Sequence, residues 1–166
     1  MSLDKIGLIL ADTVYCGTKC VAEDVTVNLP DVEFITSEIK AGGTFAIPGP
    51  ITNAMSSTVS KVGIDNGLFS LLGLESKTLE YRFVHNVLSA DGDITTQGCK
   101  AFLRGIPTKI PGGAVEPGSS WSGDVEFSIS RYQLFVNGEE KILIDKLKNI
   151  CKINGVDYAK DLRSLL

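Results

Sequence analysis

The sequence predicts a single domain that is mainly β, a sandwich-like or barrel-like sheet with one short flanking helix and long loop arms. Apolar and polar residues alternate with a period of two in several segments, as they do in half-buried strands. Clusters of Asn, Gly and Pro separate these segments, as turns do. The 166 residues are the length of one domain, and 43% of them are hydrophobic, which is ordinary for a globular fold.

The N-terminal half contains two predicted strands. Residues 19–29 alternate four apolar side chains with polar ones, and residues 56–64 are rich in Ser, Thr and Val. Between them, residues 30–50 include the run KAGGTFAIPGP, to which no strand is assigned. A loop of this length in a compact domain is usually functional or disordered. We therefore predict that residues 30–50 form an arm that becomes ordered against a partner.

One interior helix is predicted after the second strand. Asp65 and Asn66 can cap residues 67–72, and Gly73 can end the helix after about two turns. Such a helix can cover one edge or end of a sheet. Near the other end of the chain, residues 158–166 are expected to form a short helix or a tail.

The central part of the chain predicts further strands. Residues 77–88 and 94–104 flank the turn-forming run ADGD and form a predicted hairpin. Residues 107–123 are a second long loop, rich in Gly, Pro and Ser, with Trp121 near its end. Trp121 either fills the core or anchors a contact with another subunit. Residues 124–134 alternate sharply between apolar and polar side chains, which indicates a half-buried strand.

The C-terminal segment QLFVNGEEKILIDKLKNICKING allows two interpretations. Asn137-Gly138 between alternating runs is the strongest short hairpin signal, and β-branched Ile142 and Ile144 favour a strand after it. The alternative is a basic amphipathic helix over residues 139–153, because several of its residues also fall on helical spacing. We favour the hairpin.

Charge and composition exclude several classes of function. The net charge of −4 argues against a nucleic-acid-binding surface, which needs clustered Lys and Arg. Residues 1–130 are net −6 and residues 131–166 net +2, so copies could meet head to tail. No apolar run approaches a membrane span or a signal-peptide core, so we expect an intracellular protein without a membrane partner. The four cysteines are expected to be buried free thiols.

Catalytic and metal-binding patterns are scarce. His85 is the single histidine, and no second ligand or base lies at motif spacing from it, so a structural role is predicted. Cys16 and Cys20 lack a matching pair for a metal, and are expected as half-buried thiols on neighbouring strands or in a turn. The glycine pairs at 42–43 and 112–113 lack a phosphate-loop context. The sequence therefore predicts no catalytic residue, no metal and no cofactor, and indicates a building block or a binding module.

The C-terminal residues resemble the end of the major tail tube proteins of contractile-tailed bacteriophages. The resemblance rests on a set of strand-end and turn residues: Tyr132, Gly138, Ile144, Asp145, Asn149, Asn154, Gly155, Val156 and Asp157. It is strong over about the last 35 residues and collinear over the rest, with the run VTVNLP at 25–30 also similar. The chain departs from the family at residues 8–13, which lack an Asn-Gly turn, and in the arm.

The resemblance implies a structural role in a virion tail. Subunits would form hexameric rings stacked into a hollow tube, inside a contractile sheath, with a baseplate or initiator and a terminator at its ends. DNA would pass through the lumen without specific binding, and assembly would take place in the bacterial host cytoplasm. The tail of the domain, about residues 156–166, closes the subunit. Lys141, Lys146, Lys148 and Lys152 are then expected to contact the next subunit or the sheath.

Two groups of residues are predicted as functional surfaces. The arm is expected to make inter-subunit stacking contacts through Lys40, Gly42, Gly43, Phe45, Ile47 and Pro48. The polar, solvent-facing sides of the strands would repel phosphate or leave it unbound, so they are candidates for the lining of the lumen. The residues on them are Asp24, Thr26, Asp124, Glu126 and Ser128.

Three other functions remain open from the sequence. In the same class, the chain could form the tube of a contractile bacteriocin, which carries no genome. In a different class, it could be an intracellular β-sandwich module that binds a small ligand, which predicts a pocket with converging aromatic side chains. A third alternative is an enzyme that uses His85.

Overall fold

The computed structural model describes residues 4–166, which form twelve strands and two short helices. Their bounds are β1 (Lys5–Cys16), β2 (Lys19–Glu23), β3 (Thr26–Asn28), β4 (Phe34–Lys40), β5 (Thr44–Thr52), β6 (Met55–Val62), α1 (Asn66–Phe69), β7 (Lys77–Leu88), β8 (Ile94–Lys109), β9 (Ser122–Val136), β10 (Glu139–Asp145), β11 (Ile150–Ile153), β12 (Val156–Asp157) and α2 (Lys160–Leu165). Strands hold 61% of the residues and helices 6%, which confirms the mainly-β prediction.

Ten strands join one antiparallel sheet in the order β12-β11-β10-β9-β8-β7-β1-β2, with β6 paired to β9 and β3 paired to β6. Strand β9 makes this branching possible. Its residues 122–129 pair with β6, and residues 131–136 pair with β10, while β8 runs along its other edge. The buried side chains of β9 change phase at the same point, since Ile129 and Tyr132 are both buried although three residues apart.

The inner face of the sheet surrounds one hydrophobic core. The largest side chains that are almost fully buried are Phe127, Leu68, Leu71, Leu103 and Ile144, from β9, α1, the turn after it, β8 and β10. All belong to one contact cluster, to which β1, β2, β6 and β11 also contribute. Each such side chain contributes about 1.5–3 kcal/mol to folding by leaving water. The sheet must therefore curve so that distant strands meet over a shared interior.

Most strand predictions are confirmed. Residues 77–88 and 94–104 form the β7–β8 hairpin with its turn at 89–93, and residues 124–134 lie inside β9. The turn at Asn137-Gly138 joins β9 to β10, so the hairpin is correct and the helix over 139–153 is wrong. Residues 19–29 are two strands and not one, because Asp24 adopts φ 51° and interrupts the extended backbone between β2 and β3.

The arm is more ordered than its sequence predicts. Residues 34–52 form the two-stranded sheet β4–β5, separate from the ten-stranded sheet. The turn between the strands contains Gly42 and Gly43, whose φ values of 68° and 140° lie where side chains are disfavoured. Pro48 and Pro50 lack an N–H, which an edge strand of a two-stranded sheet can tolerate. We refer to β4–β5 (residues 34–52) as the arm hairpin.

The long loop before β9 is held by Trp121. Its indole N–H donates to the Gly112 carbonyl at 3.1 Å, and its ring centroid lies 6.0 Å from that of Phe69. A Cβ at Gly113 or Gly123 would meet the indole at 2.1 or 2.3 Å, so both positions require glycine. Trp121 packs against the core, which favours the first of its two predicted roles.

Helix α1 begins at the predicted cap, although it is shorter than two turns. Asp65 is its N-cap, and the Oδ1 atom accepts a hydrogen bond from the Leu68 N–H at 2.8 Å. The cap directs the chain so that Leu68 and Leu71 enter the core, both with 0% exposure. At the approach to β2, a Cβ on Gly67 would meet the Val21 carbonyl oxygen at 2.0 Å, so the helix packs directly on backbone.

Replacing Asp65 by Ala is expected to lower the free energy of unfolding by about 1 kcal/mol, because the Leu68 N–H loses its acceptor. Urea denaturation followed by tryptophan fluorescence measures this, since Trp121 contacts Phe69 of α1. Asp65→Asn keeps a capping oxygen and is the matched control. Equal losses for both substitutions would mean that the ion pair with Lys61, and not the cap, supplies the stability.

Candidate functional site: the assembly surfaces

The turn residues of the C-terminal motif have a common conformation. Asn137, Asn149 and Asn154 all have φ near 50° (51°, 52° and 51°), and Gly138 and Gly155 follow with φ of 79° and 81°. Asparagine and glycine tolerate this left-handed region better than other residues. The motif therefore specifies three tight reversals that fold β9 to β12 into consecutive antiparallel strands.

The remaining motif residues close the core and its last turn. Tyr132 and Ile144 are buried at 3% and 2% exposure, and burial raises the pKa of Tyr132 to about 12. Asp145 is also buried, and its Oδ1 accepts hydrogen bonds from the Leu147 and Lys148 N–H groups at 3.0 and 3.1 Å. Asp145 thus organises the β10–β11 turn. The motif residues in the core and at the strand ends therefore stabilise the fold of the subunit itself, with the exception of Val156, which is exposed.

Asp157 and Arg163 fasten helix α2 to the sheet. The guanidinium of Arg163 binds the Asp157 carboxylate and also donates to the Asn149 carbonyl at 2.9 Å. The Asp157 Oδ1 accepts from the Ala159 N–H at 3.1 Å, at the start of α2. The hydrogen bond from Arg163 is the main reason that the pKa of Asp157 lies below its ordinary value of 3.8. The sequence predicts a short helix or a tail over residues 158–166, and the structure shows the helix, anchored to the sheet.

The attachment of α2 is expected to weaken in acid. Because the pKa of Asp157 is lower in the folded protein than in the unfolded chain, its ionised form stabilises the fold above pH 3.8, and this is lost as pH falls through the lowered pKa. Hydrogen exchange of α2 amides measures the effect. The α2 amides of the wild type should exchange more slowly than those of Asp157→Asn. The ratio of the two exchange rates should be constant from pH 7 to 5 and should approach one in strong acid. A difference independent of pH would contradict this.

The arm hairpin has one apolar and one polar face. Cross-strand partners share a face, and the pairs are Ile39 with Phe45 and Ser37 with Ile47. Ile39, Phe45 and Ile47 are 41%, 59% and 40% exposed, so about half of this apolar face is open to solvent in the described part of the subunit. The opposite face carries the other predicted stacking residues, Lys40 and Pro48, together with Glu38. The structure thus brings the predicted stacking residues onto one hairpin, on its two faces and its turn.

Lys146 holds the base of the arm hairpin. Its Nζ donates to the Asn53 carbonyl at 2.5 Å and lies 3.4 Å from that of Thr52, where the hairpin rejoins the sheet. The Asn53 N–H in turn donates to the Glu33 carbonyl at 2.8 Å, which ties the two ends of the hairpin together. Lys146 was predicted to contact another subunit or the sheath, and the structure instead gives it a partner within the chain. Lys141 likewise pairs with Glu139 at 2.8 Å.

The predicted solvent-facing residues lie on one surface across three strands. Thr26 of β3 is opposite Ser60 of β6, and Ser60 is opposite Asp124 of β9. Glu126 and Ser128 continue this row along β9, opposite Thr58 and Ser56. Asp24 joins Thr26 and Asp124 around a shallow cleft at one end. We call this surface the acidic face, defined by Asp24, Thr26, Asp124, Glu126 and Ser128.

Strand β1 offers an unpaired edge. Its residues 13–16 pair with β2, but on residues 5–12 that edge has no strand partner within the described part of the chain. The residues there are unusually apolar for an exposed edge, since Ile6, Leu8, Ile9 and Leu10 are 60%, 73%, 64% and 53% exposed. At the opposite end of the sheet, β12 pairs with β11 and with no other strand among residues 4–166. Such edges readily pair with another chain.

The chemistry around His85 is that of a packed interior. His85 is buried, with Nε2 3.0 Å from the Gln97 Oε1 and Nδ1 3.9 Å from the Cys99 Sγ. Burial raises the pKa of Cys99, which disfavours the thiolate that a nucleophile would need. No cluster of metal-ligating side chains occurs among residues 4–166. The structural role predicted for His85 fits this environment.

The free thiols are partly as predicted. All four cysteines are unpaired, and Cys99 and Cys151 are buried. Cys16 is half-buried and Cys20 exposed, on the neighbouring strands β1 and β2. The expectation that all four are buried is therefore wrong for Cys16 and Cys20, which flank the turn between β1 and β2. The expectation of half-buried thiols at these two positions holds for Cys16 and is wrong for Cys20.

A groove with aromatic walls lies beside the β7–β8 hairpin. It has a volume of about 470 Å³ and is lined by Phe83, Phe102 and Phe135, with Arg82 and Lys100 among the polar residues. The rings of Phe102 and Phe135 meet edge to face with centroids 5.7 Å apart. Converging aromatics are the feature that the ligand-binding alternative predicted, so comparison with known families is needed to choose between the two classes.

The family model of the phage tail tube protein FII matches residues 9–166, which is nearly the whole chain. The chain belongs to the phage tail tube family. It is therefore a structural subunit of a virion tail, and this class of protein points to a non-enzymatic role.

Two further findings accompany the family assignment. No curated protein sequence matches the chain. Within residues 4–166, neither helix is long and apolar enough to cross a membrane. Membership of the tail tube family explains why the structure holds apolar surfaces outside its core: a tube subunit must keep surfaces for other copies.

Proposed function

We propose that the chain forms hexameric rings that stack into the tube of a contractile tail, through which a genome is delivered. The observation that carries this proposal is the pair of unsatisfied surfaces on the subunit, the β1 edge and the apolar face of the arm hairpin. A surface of each kind is needed for a tube, because subunits must join around the ring and rings must join along the axis.

The β1 edge supports closure of the ring. Residues 5–12 leave backbone N–H and C=O groups available along that edge, and a strand from the next subunit can satisfy them. The unpaired edges at the two ends of the sheet differ from each other, so the contact is heterologous and repeats head to tail. Six repeats that close would make a continuous barrel from six curved sheets.

The arm hairpin supports stacking of the rings. Within the described residues its two strands pair with each other and with no further strand, and Lys146 secures its base, so the arm has a fixed attachment to the body. Burying Phe45, Ile39 and Ile47 on another ring would remove an apolar surface from water. A preformed hairpin also loses less entropy on binding than a disordered arm would.

The acidic face supports a lumen that conducts DNA without holding it. Asp24, Asp124 and Glu126 would repel phosphate at distances within about 10 Å, the screening length at 0.1 M salt. Small polar residues such as Thr26 and Ser128 offer little that could grip a base or a phosphate. The sheath would then surround the outside of the tube, with the baseplate and terminator at its ends and assembly in the host cytoplasm.

Negative-stain electron microscopy of the purified chain tests the proposal. Rings or tubes about 100 Å wide are expected, because six domains of this size, each about 30 Å across, form a ring of that scale. Samples should be examined at low and at high protein concentration, since stacking depends on mass action. A species that remains monomeric at every concentration, also with tail initiator proteins present, would refute the tube.

A further inference from the structure

The tips of two hairpins in the subunit each carry a cross-strand pair of apolar side chains. At the end of the arm hairpin, Ile39 and Phe45 face each other across β4 and β5. At the end of the β7–β8 hairpin, Leu88 and Ile94 face each other and are 44% and 74% exposed. Both pairs lie outside the hydrophobic core cluster. Each tip therefore presents a cross-strand apolar pair that is partly exposed to solvent.

The charged residues nearest the two turns have opposite sign. Lys40 ends β4 beside Ile39, and the next charged residue toward the base is Glu38. The β7–β8 turn carries Asp91 and Asp93, and it is an ordered turn, since the Ser89 N–H donates to the Asp93 carbonyl at 2.9 Å. Lys5 pairs with Leu88, and its positive charge is offset by the negative charge of Asp4, which precedes it in the chain. A cation beside one apolar pair thus matches two anions beside the other.

The β7–β8 tip lies far from the base of the arm hairpin. The arm hairpin rejoins the sheet at Met55, which pairs with Ile129, and Ile129 pairs with Gly105 of β8. Strand β8 runs from Gly105 to Ile94 before it reaches the other tip. At about 3.3 Å per residue, this places the β7–β8 tip roughly 36 Å along the strand from the base of the arm. Strand β4 has 7 residues and is therefore about 23 Å long, which is less than this separation, so contacts between the two tips suit separate copies.

We propose that the arm tip of one copy docks on the β7–β8 tip of a second copy in the adjacent ring. Ile39 and Phe45 pack against Leu88 and Ile94, and Lys40 lies against Asp91 and Asp93. The inference rests on the proposed tube and names the surface that receives its arm. The acidic face suits Lys40 less well, because Lys61 lies among its acids in the cleft near Asp24.

Charge reversal tests the contact. Lys40→Glu is expected to raise the critical concentration for polymerisation by roughly tenfold or more, since repulsion replaces attraction at every arm of a ring. Adding Asp91→Lys and Asp93→Lys in the same chain should restore polymerisation to near the wild-type level. The matched control adds Asp124→Lys and Glu126→Lys instead, and should rescue nothing.

The outcomes separate this proposal from the tube itself. If the wild type forms tubes and the Asp91 and Asp93 substitutions do not rescue Lys40→Glu, the docking surface is wrong and the tube stands. Rescue by the substitutions at Asp124 and Glu126 would move the contact to the acidic face and overturn the proposal. A wild type that forms no tubes would overturn both.

Cysteine cross-linking gives a second readout. In a Cys20→Ser background, Ile39→Cys with Ile94→Cys should yield a ladder of cross-linked chains when tubes are oxidised. Ile39→Cys with Ile106→Cys is the control, because Ile106 is also an exposed residue of β8 but lies near its far end. A ladder from the control pair alone, in tubes of normal appearance, would contradict the contact.

Discussion

A subunit in which an Asn-Gly turn replaces residues 37–47 is expected to fold normally and to form no tubes. Thr36 and Pro48 are cross-strand partners, so a two-residue turn can join them and preserve the base of the arm hairpin. The deleted residues make no contribution to the core cluster, and the anchor from Lys146 to Asn53 remains. Loss of the apolar face should remove the stacking contact completely.

Electron microscopy and sedimentation measure polymerisation of this variant, and thermal unfolding measures its fold. The melting temperature should stay within a few degrees of the wild type, because exposed residues contribute little to stability. Rings without tubes are the specific expectation, since the β1 edge is untouched. Tubes of normal length would show that the arm hairpin does not stack the rings.

The two faces of the arm hairpin provide a matched pair of substitutions. Phe45→Ser with Ile47→Ser removes the apolar face, and is expected to block stacking nearly as well as excision does. Thr44→Ser with Ala46→Ser changes neighbouring residues on the opposite face and should leave polymerisation unchanged. Equal defects from both pairs would mean that the whole hairpin is buried in the tube, and not its apolar face alone.

The sequence was sufficient wherever one short pattern determined the structure. Asn137-Gly138 alone predicts its hairpin, because few other residues accept the backbone of such a turn. Alternation in β9 likewise predicts that Val125, Phe127 and Ile129 enter the core, and all three do. The resemblance at the C-terminus is informative for the same reason, because the residues that carry it are turn residues and buried side chains with strict local requirements.

The arm hairpin was missed for a physical reason. Its glycines and prolines are typical of loops, and Phe45, Ile47 and Pro48 do not alternate regularly with polar residues. The strands β4 and β5 nonetheless pair, because a two-stranded sheet leaves its outer edges in water, where Pro needs no partner. Only the cross-strand register shows that Ile39 shares a face with Phe45 and Ile47.

The contacts that position the assembly surfaces could not be predicted from local patterns. Lys146 reaches the base of the arm hairpin across 93 residues of chain, and nothing near Lys146 in the sequence marks Asn53 as its acceptor. The acidic face similarly depends on Thr26, Ser60 and Asp124 aligning across three strands. Both follow from the branching of the sheet at β9, which is a property of the whole fold.

Substituting lysine at both Leu8 and Leu10 is expected to prevent ring formation and leave a soluble, folded monomer. These side chains are 73% and 53% exposed on β1, so the subunit loses little packing. Lysine on an exposed edge strand opposes pairing, because the incoming strand would have to desolvate two charges. Because rings must form before they can stack, neither rings nor tubes of this variant should appear at high concentration.

Leu74→Lys is the control for this loss, because Leu74 is a 92% exposed leucine in a loop between α1 and β7. It adds one positive charge, against two in the Leu8 and Leu10 variant, without touching a strand edge, and it should polymerise like the wild type. If the Leu8 and Leu10 variant still forms rings in normal yield, the β1 edge is not the contact around the ring. Rings that form but fail to stack would instead assign the N-terminal half of β1 to the axial contact, beside the β7–β8 tip with which it pairs.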